Sequence, residues 1–284
     1  MKWQTAIEMT YPLLLDERLN TILHETGFVV LPLLNDEEIN ELTEFYEKIH
    51  QLEVAPFTTF AADNFNYKKS VSTKIQSVLK RGINQYFRDC ELFWGNFFEK
   101  QAGSLDMPLH ADLQYVDETI MSSYNIWCPL TDTTEQNGTL GVIPYSHLLV
   151  KKVRGINITD AYRKNAKAIA EKYTIYPSLK AGEAIVYNHR LLHNSAANTS
   201  QKKRLAATLI ILEPNSSVLH YYAEHEGDTN FYKYNIDAVE DLMKIDFMQK
   251  PSHLLPSEII RNYNFEPLKV EDFDSLFFRI KNGD

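Results

Sequence analysis

A histidine and a carboxylate stand two positions apart in the segment His110-Ala111-Asp112. Side chains at positions i and i+2 of a β-strand point to the same face, so a strand here would present both groups side by side. Imidazole and carboxylate are both ligands of divalent transition metals. The pair indicates part of a metal site, but His-x-Asp is too short a pattern to establish one alone.

A second imidazole comes from Leu192-His193-Asn194-Ser195, in the apolar region that follows Gly182. Two histidines and one carboxylate on one face of an octahedral metal leave three positions open, as in non-haem iron(II) oxygenases. Two open positions can chelate a 2-oxoacid, and the third can bind dioxygen. We therefore predict that His110, Asp112 and His193 are the metal ligands, with Fe(II), 2-oxoglutarate and dioxygen as cofactor and co-substrates.

Arg204 follows the second histidine by a short interval. Its guanidinium presents a rigid fork that matches a carboxylate, so it can hold the far end of 2-oxoglutarate while the near end chelates iron. The alternative is an ordinary surface arginine, because Lys202 and Lys203 precede it directly.

His189 is the competing candidate for the second imidazole. It lies four positions before His193, and the two would share a face on a continuous strand. Four-residue spacing on a helix would suit zinc, but no glutamate follows His189 as in His-Glu-x-x-His. We predict that His193 is the ligand, because Ser195 and Arg204, the candidate co-substrate contacts, follow it in the sequence.

Weaker candidates would line the same pocket. Ser195 points the same way as His193 on an extended chain, so we expect it to bond the co-substrate carboxylate. Asn125 and Trp127 share one face of their strand and are predicted to line the co-substrate pocket, although a lone tryptophan is more often core. Thr139 is a candidate of the same type.

Aromatic residues gather in a polar, Asn-rich stretch and indicate a substrate mouth. They are Phe57, Phe60, Phe65 and Tyr67. The predicted substrate-lining residues are Phe60, Tyr67 and Tyr115. Core packing is the alternative, since half-buried loop aromatics are common.

Composition limits the remaining classes of protein. The 284 residues carry a formal net charge of −9, with 44% hydrophobic residues. Such a chain can bury a large core, and without a dense basic stripe nucleic acid is a poor partner. Two cysteines do not make a disulfide framework. We expect no signal peptide or membrane span, and a cytoplasmic location that keeps iron ferrous. The oligomeric state is left open.

The element pattern predicts one domain over residues 1–284. About 1–100 is expected to be mostly helical, with a short strand near 27–33, a helix capped by Asn35 or Asp36, and a helix over 70–88. Short strands broken by turns at about 105–215 are typical of a jelly roll. A helical insertion is expected over 155–173, and residues 216–284 are expected to cover the barrel as helices and lid loops. The predicted fold is mostly β with flanking helices, around a double-stranded β-helix (jelly-roll, cupin-like) core.

Together these segments resemble the phytanoyl-CoA dioxygenase family of iron(II)/2-oxoglutarate oxygenases. The resemblance covers residues 20–215, in order. Its motifs are His110-Ala111-Asp112, Trp127 to Leu130, Asn137-Gly138, Pro144-Tyr145-Ser146-His147, Gly182-Glu183, Leu192 to Asn198, and Arg204. Tyr145 and Asn194 stand where the family usually has glycine, and Glu183 stands where it usually has aspartate.

The resemblance implies an oxygenase that hydroxylates an unactivated C–H bond and releases succinate and CO₂. The expected substrate is a small molecule or biosynthetic intermediate, free or carrier-bound. Asp112 is retained, which disfavours halogenation. The alternatives are a non-catalytic cupin-like binding protein, a zinc hydrolase, or another oxidative outcome at the same iron.

Overall fold

The computed structural model describes residues 11–49, 58–150, 153–246 and 249–283, and Phe57 lies outside these ranges. The helices are α1 (Glu17–Thr26), α2 (Asp36–Ile49), α3 (Phe65–Tyr86), α4 (Ala166–Tyr173), α5 (Val239–Met243) and α6 (Val270–Asn282). The first strands are β1 (Phe28–Pro32), β2 (Glu91–Lys100), β3 (Met107–His110), β4 (Ser123–Pro129) and β5 (Leu140–Val142). The later strands are β6 (Glu183–Asn188), β7 (His193–Ser195), β8 (Arg204–Leu212), β9 (Val218–Tyr222), β10 (Phe231–Ile236) and β11 (Glu258–Ile260).

Two antiparallel sheets form the core of the domain. The large sheet has the order β1-β6-β4-β8-β2, and the small sheet has the order β3-β7-β5. One buried cluster joins them, with Trp127 and Ile185 from the large sheet and Leu140 and Val142 from the small one. This is the predicted jelly roll.

The outer face of the large sheet is covered by the N-terminal helices. Ile126, Val186 and Ala207 alternate with the inward-facing residues of their strands and pack in one cluster with residues of α1, α2 and α3. Burial on both faces explains why these strands are continuous apolar runs in the sequence.

The start of α2 shows how local sequence sets an element boundary. The Asn35 side chain accepts the Glu38 N–H at 2.9 Å, and the Glu38 carboxylate accepts the Asn35 N–H at 2.9 Å. This reciprocal pair satisfies two N–H groups that the helix leaves without partners. The predicted helix start after Asn35 is confirmed.

Strand β2 corrects the expectation that the first hundred residues are mostly helical. Glu91–Lys100 forms the edge of the large sheet and pairs antiparallel with β8 along its length, with Lys100 opposite Arg204. α3 packs closely over it, because a Cβ atom added to Gly95 would meet Ile75 at 2.9 Å. The glycine is therefore needed where the helix crosses the strand.

Two further expectations are corrected. The region after 215 is not only helices and loops, because β9, β10 and β11 form a third antiparallel sheet in the order β11-β10-β9. In 155–173 the helical part is confined to a 3-10 turn, Arg163–Asn165, and α4. Across the described ranges, none of the helices has the length and apolar character needed to cross a bilayer.

Candidate active site

His110, Asp112 and His193 come together at one end of the small sheet. β3 and β7 are antiparallel neighbours, and His110 lies opposite His193 in their register. Asp112 follows the end of β3. One ligand atom from each of the three side chains lies within 4.8 Å of the others. The structure thus assembles the predicted ligand set.

Hydrogen bonds to the backbone orient both imidazoles. His110 Nδ1 lies 2.8 Å from the carbonyl oxygen of Pro108, and His193 Nδ1 lies 2.9 Å from that of Leu191. Nδ1 must donate in each pair, which leaves Nε2 as the ring nitrogen that can bind a metal. Burial, followed by the neighbouring His110, lowers the pKa of His193 to about 4. The His193 ring is therefore neutral at pH 7, as a ligand must be.

Asp112 is held through its main chain and its side chain. Its N–H donates to the carbonyl of His189 at 3.0 Å, and its own carbonyl accepts from Arg154 Nε at 2.8 Å. Asn125 Nδ2 donates to Asp112 Oδ2 at 3.2 Å. Burial alone would raise the pKa of this carboxyl, but the imidazoles, His193 foremost, and the Asn125 bond lower the pKa to about 2. Asp112 is therefore ionised at pH 7, as a metal ligand must be.

His189 does not share a strand face with His193. β6 ends at Asn188, and the chain turns before β7 begins in the other sheet. His189 Nδ1 lies 2.7 Å from Ser123 Oγ, and its ring packs 5.3 Å from that of Tyr115. The fully buried Nε2 is 3.8 Å from Asp112 Oδ2. The structure groups His193, rather than His189, with the other two ligands.

The segment Pro144 to His147 explains how His193 is positioned. Ser146 Oγ accepts the N–H of Leu192 at 2.8 Å and donates to the carbonyl of Ile143 at 2.7 Å. The N–H of Ile143 donates to the carbonyl of Leu192 at 2.9 Å. These bonds fix Leu192, the residue directly before the candidate ligand His193.

Tyr145 occupies the left-handed backbone region with φ of 65°. This conformation costs little for glycine and more for a residue with a Cβ atom, which accounts for glycine being usual at this position. The tyrosine ring packs edge-on to Phe277 of α6, with ring centroids 6.0 Å apart. This contact partly offsets the backbone strain.

A cavity of about 400 Å³ runs from the three ligands to Arg204. The apolar lining residues are Phe98, Leu105, Met107, Trp127 and Leu140. The polar lining residues are Glu99, Lys100, Gln101, Ser104, Asp106, His110, Asp112, Asn125, Tyr187, His193, Asn194, Ser195, Arg204 and Thr208. The structure therefore brings the metal ligands and the predicted carboxylate anchor to one space.

Arg204 is a buried cation without an anion. Only 5% of the residue is exposed, and its guanidinium lies 5.2 Å from the centre of the Trp127 ring. Nη1 reaches the carbonyl of Phe98 at 3.4 Å, while Nε is buried without a hydrogen-bond partner. Burial lowers its pKa to about 10, so the group stays charged at pH 7. Among the described residues no carboxylate lies within ion-pair distance, and a buried charge in this state requires a ligand.

Lys100 is a second cation on the same wall, and sequence reasoning missed it. Its Nζ donates to Ser195 Oγ at 2.8 Å, and 7% of the residue is exposed. Burial first, and then the charge of Arg204, lower its pKa to about 8. The only signal in the sequence is its place at the end of a strand opposite Arg204, and that strand was not predicted.

Ser195, Asn125 and Trp127 line the cavity, where the sequence placed them. Thr139 does not. Its hydroxyl lies 3.1 Å from that of Thr133 and donates to the carbonyl of Pro177 at 2.9 Å. Thr139 therefore stabilises a turn and is not a co-substrate contact.

The three predicted substrate-lining aromatics do not reach the cavity. Phe60 packs on Trp94 with ring centroids 4.9 Å apart, and Tyr67 is buried in the core between α3 and the large sheet. Tyr115 packs against Phe93 at 5.9 Å and against His189. Their apolar surface is used in the core, so these assignments are corrected.

Tyr187 is a further cavity residue that sequence reasoning missed. Its hydroxyl accepts from Asn125 Nδ2 at 3.1 Å and lies 3.5 Å from His193 Nε2. Its register position opposite Asn125 was available only once β4 and β6 were known to pair.

The donor set fits iron(II). Two imidazoles and one carboxylate on one side of a metal would leave open positions. The same cavity is lined by Lys100 and Arg204, two cations without a carboxylate partner among the described residues. A closed structural zinc site would instead require a fourth protein ligand. Within the described part of the chain, the group contains three ligands.

Comparison with solved structures shows the same fold. The epimerase SnoN, in complex with Fe³⁺, α-ketoglutarate and nogalamycin RO, matches with a TM-score of 0.54 and 17% identity, over 71% of this chain and 85% of that one. The non-haem α-ketoglutarate-dependent carbocyclase SnoK from nogalamycin biosynthesis matches with a TM-score of 0.50 and 18% identity, over 72% and 86%.

Sequence relatives point to one family. A phytanoyl-CoA dioxygenase from Arabidopsis thaliana is 33% identical over 108 residues, which are 37% of this chain and 38% of that protein. Phytanoyl-CoA dioxygenase domain-containing protein 1 from Danio rerio is 29% identical over 99 residues, 33% of this chain and 34% of that protein. These matches span well under half of either relative.

The family model for phytanoyl-CoA dioxygenase (PhyH) matches residues 23–206, more than half of the chain. This range contains the three candidate metal ligands, Ser195 and Arg204, and both sheets of the jelly roll apart from most of β8. The chain therefore belongs to the phytanoyl-CoA dioxygenase family.

Proposed function

We propose that this chain is an Fe(II)- and 2-oxoglutarate-dependent dioxygenase that hydroxylates a small molecule. One observation carries the proposal. The open side of the His110, Asp112 and His193 group faces the same cavity as Arg204 and Lys100, two buried cations without carboxylate partners among the described residues. A dicarboxylate with a metal-chelating end would bind the metal at one end of this cavity and the two cations at the other.

The far carboxylate of 2-oxoglutarate is placed against Arg204. The guanidinium offers a fork of N–H donors, of which Nε is buried and unused, and the Trp127 ring supports its face. Lys100 adds a point charge, and Ser195 adds a hydroxyl already bonded to Lys100. Charge-assisted bonds in a buried site are stronger than neutral ones, so this wall selects an anion.

The metal end of the cavity is formed by two imidazoles and one fixed carboxylate. Bound iron with 2-oxoglutarate and dioxygen supplies the oxidising chemistry, with succinate and CO₂ as by-products. Asn125 keeps Asp112 oriented, and the backbone carbonyls of Pro108 and Leu191 keep both Nε2 atoms turned toward the metal.

The cavity size supports a small substrate. About 400 Å³ lies within the usual range for small-molecule sites, and the co-substrate occupies part of it. Asp106 lines the cavity beside the exposed Leu105, whereas the carboxylate of Glu99 is bound by Tyr46 and Lys203. The net charge of −9 disfavours a highly anionic thioester substrate.

A panel of candidate small molecules, scored for succinate together with a hydroxylated product, tests this proposal. The wild-type chain should form both in equal amounts with its true substrate, and Asp112→Ala should form neither. Co-substrate binding without any succinate, across the panel and without a substrate, would instead favour a non-catalytic cupin-like binding protein. Succinate with a desaturated or halogenated product would replace hydroxylation as the outcome.

A further inference from the structure

The cavity reaches the protein surface at the end away from the candidate metal ligands. Three of its lining residues, Gln101, Leu105 and Asp106, are exposed, and 82% of Leu105 is exposed. All three belong to the segment 101–106 between β2 and β3, which we call the rim. Residues that line a cavity and also face solvent mark its opening, so the cavity opens at the rim.

Hydrogen bonds to a fully buried residue hold the rim in place. The N–H of Asn198 donates to the carbonyl of Ser104 at 2.9 Å, and its carbonyl accepts from the N–H of Gly103 at 2.7 Å. Its side-chain Nδ2 donates at 3.0 Å to the carbonyl of Lys100, the residue directly before the rim. The opening is therefore built into the fold, and it is supported by a residue that has no part in binding the metal or the co-substrate.

Two buried cations lie just inside the rim. Lys100 directly precedes it and lies opposite Arg204 in the register of β2 and β8. The Lys100 side chain runs across Gly138, where an added Cβ atom would meet its Cδ at 2.5 Å, and its Nζ donates to Ser195 Oγ. Both cations line the cavity. An anion that enters at the rim therefore meets them before it reaches the candidate metal ligands.

The position of the co-substrate decides which molecule can use this opening. When 2-oxoglutarate extends from the metal to Arg204, it lies between the rim and the metal. A primary substrate cannot reach the metal through the rim in that state, and it must approach from another side. The co-substrate and the primary substrate therefore need separate ways into the site.

We propose that the rim is the passage for 2-oxoglutarate and succinate, and that both exchange through it while the primary substrate occupies the metal end. This inference rests on the proposed function. Both molecules are dianions, and fixed charges near an opening change the rate at which an ion enters. Lys100 and Arg204 attract these dianions inward, whereas the exposed carboxylate of Asp106 repels them at the rim.

The test places a bulky group on the rim and follows the rate of 2-oxoglutarate binding. Leu105→Cys is labelled with a maleimide that carries a polyethylene glycol chain, and the iron-loaded chain is mixed with 2-oxoglutarate in an anaerobic stopped-flow instrument. The observed rate of the charge-transfer band, plotted against 2-oxoglutarate concentration, gives the association and dissociation rate constants. Both should fall several-fold and by the same factor, so the dissociation constant should stay unchanged.

Matched controls separate the rim from labelling in general. Leu255 is 90% exposed and does not line the cavity, so labelled Leu255→Cys should bind 2-oxoglutarate at the wild-type rate. Wild-type chain treated with the same maleimide accounts for label on Cys90. Thermal unfolding checks that each labelled chain is folded.

A charge variant tests the same passage without a label. Asp106→Asn should speed association at low salt, and this difference from the wild type should shrink as salt screens the charge. An association rate that the label on Leu105→Cys leaves unchanged, or one that Asp106→Asn leaves unchanged at low salt, would overturn the passage. The proposed function would still stand, because the band forms. No charge-transfer band in the folded, iron-loaded wild type would overturn both.

Discussion

The ammonium of Lys100 donates to the hydroxyl of Ser195 across 2.8 Å, on the wall that also carries Arg204. The two residues come from β2 and β7, which belong to different sheets. This hydrogen bond therefore links the two sheets at the end of the cavity away from the candidate metal ligands, and it presents an ammonium and a hydroxyl to the same ligand.

This pair predicts a pH dependence for co-substrate binding. Burial and Arg204 lower the pKa of Lys100 to about 8, so the ammonium is present below pH 8 and is lost as the pH rises through that value. The apparent KM for 2-oxoglutarate should rise across this window, by roughly tenfold or more, because one charge-assisted bond contributes ~1.5–3 kcal/mol.

Lys100→Met should raise the KM for 2-oxoglutarate at pH 7 and remove most of its rise near pH 8. The exposed Lys202→Met variant is the matched control and should behave as the wild type. Titrations of 2-oxoglutarate at saturating iron measure both effects. An unchanged pH profile in Lys100→Met would show that another group controls it.

Arg204 should dominate the same binding step. Arg204→Ala removes a forked pair of bonds and should raise the KM for 2-oxoglutarate by roughly tenfold to a hundredfold per bond lost. Arg204→Lys should recover only part of this, because an ammonium lacks the fork. Ser195→Ala should show a smaller effect. The account of this wall fails if Arg204→Ala leaves the dependence on 2-oxoglutarate unchanged.

The choice between two histidines is open to a direct test. His193→Ala should abolish iron binding, since its Nε2 faces the metal position. His189→Ala should keep iron and lower the unfolding temperature, because it removes a buried ring bonded to Ser123. Metal content after dialysis, with circular dichroism as a check on folding, measures both. Iron lost only in His189→Ala would exchange the two roles.

Ser146 should affect the protein through the position of His193. Ser146→Ala leaves the buried N–H of Leu192 without its acceptor, which costs ~1–3 kcal/mol. We expect a lower free energy of unfolding and weaker iron binding, measured by denaturant titration and metal competition. Ser70→Ala, on the exposed face of α3, should change neither. Weaker iron binding with an unaltered free energy of unfolding would argue against the view that Ser146 acts through this buried hydrogen bond.

Much of the metal site could be predicted because its residues lie in short, ordered motifs. His110 and Asp112 are two positions apart in the chain, and His193 lies in a segment that also contains Ser195 and is followed by Arg204. Lys100 could not be found this way. Its role depends on the pairing of β2 with β8, and Glu99 and Gln101 make its surroundings look like a solvated strand end.

The errors in the fold have the same physical origin. The sequence of β2, Glu91–Lys100, is apolar on both faces because α3 covers one side, so no alternation marks it as a strand. Phe60 and Tyr67 lie in a polar stretch, yet their rings fill core space that only the packed helices create. Tertiary contacts, rather than local pattern, decided these elements.

Anaerobic titration of the iron-loaded chain with 2-oxoglutarate tests the central claim most directly. Chelation of Fe(II) by the 2-oxoacid should produce a visible metal-to-ligand charge-transfer band that saturates at one co-substrate per chain. The band should be absent in Asp112→Ala and should require much more 2-oxoglutarate in Arg204→Ala. No such band in the folded, iron-loaded wild type, or an equal band in Asp112→Ala, would contradict the assignment of this cavity to iron and 2-oxoglutarate.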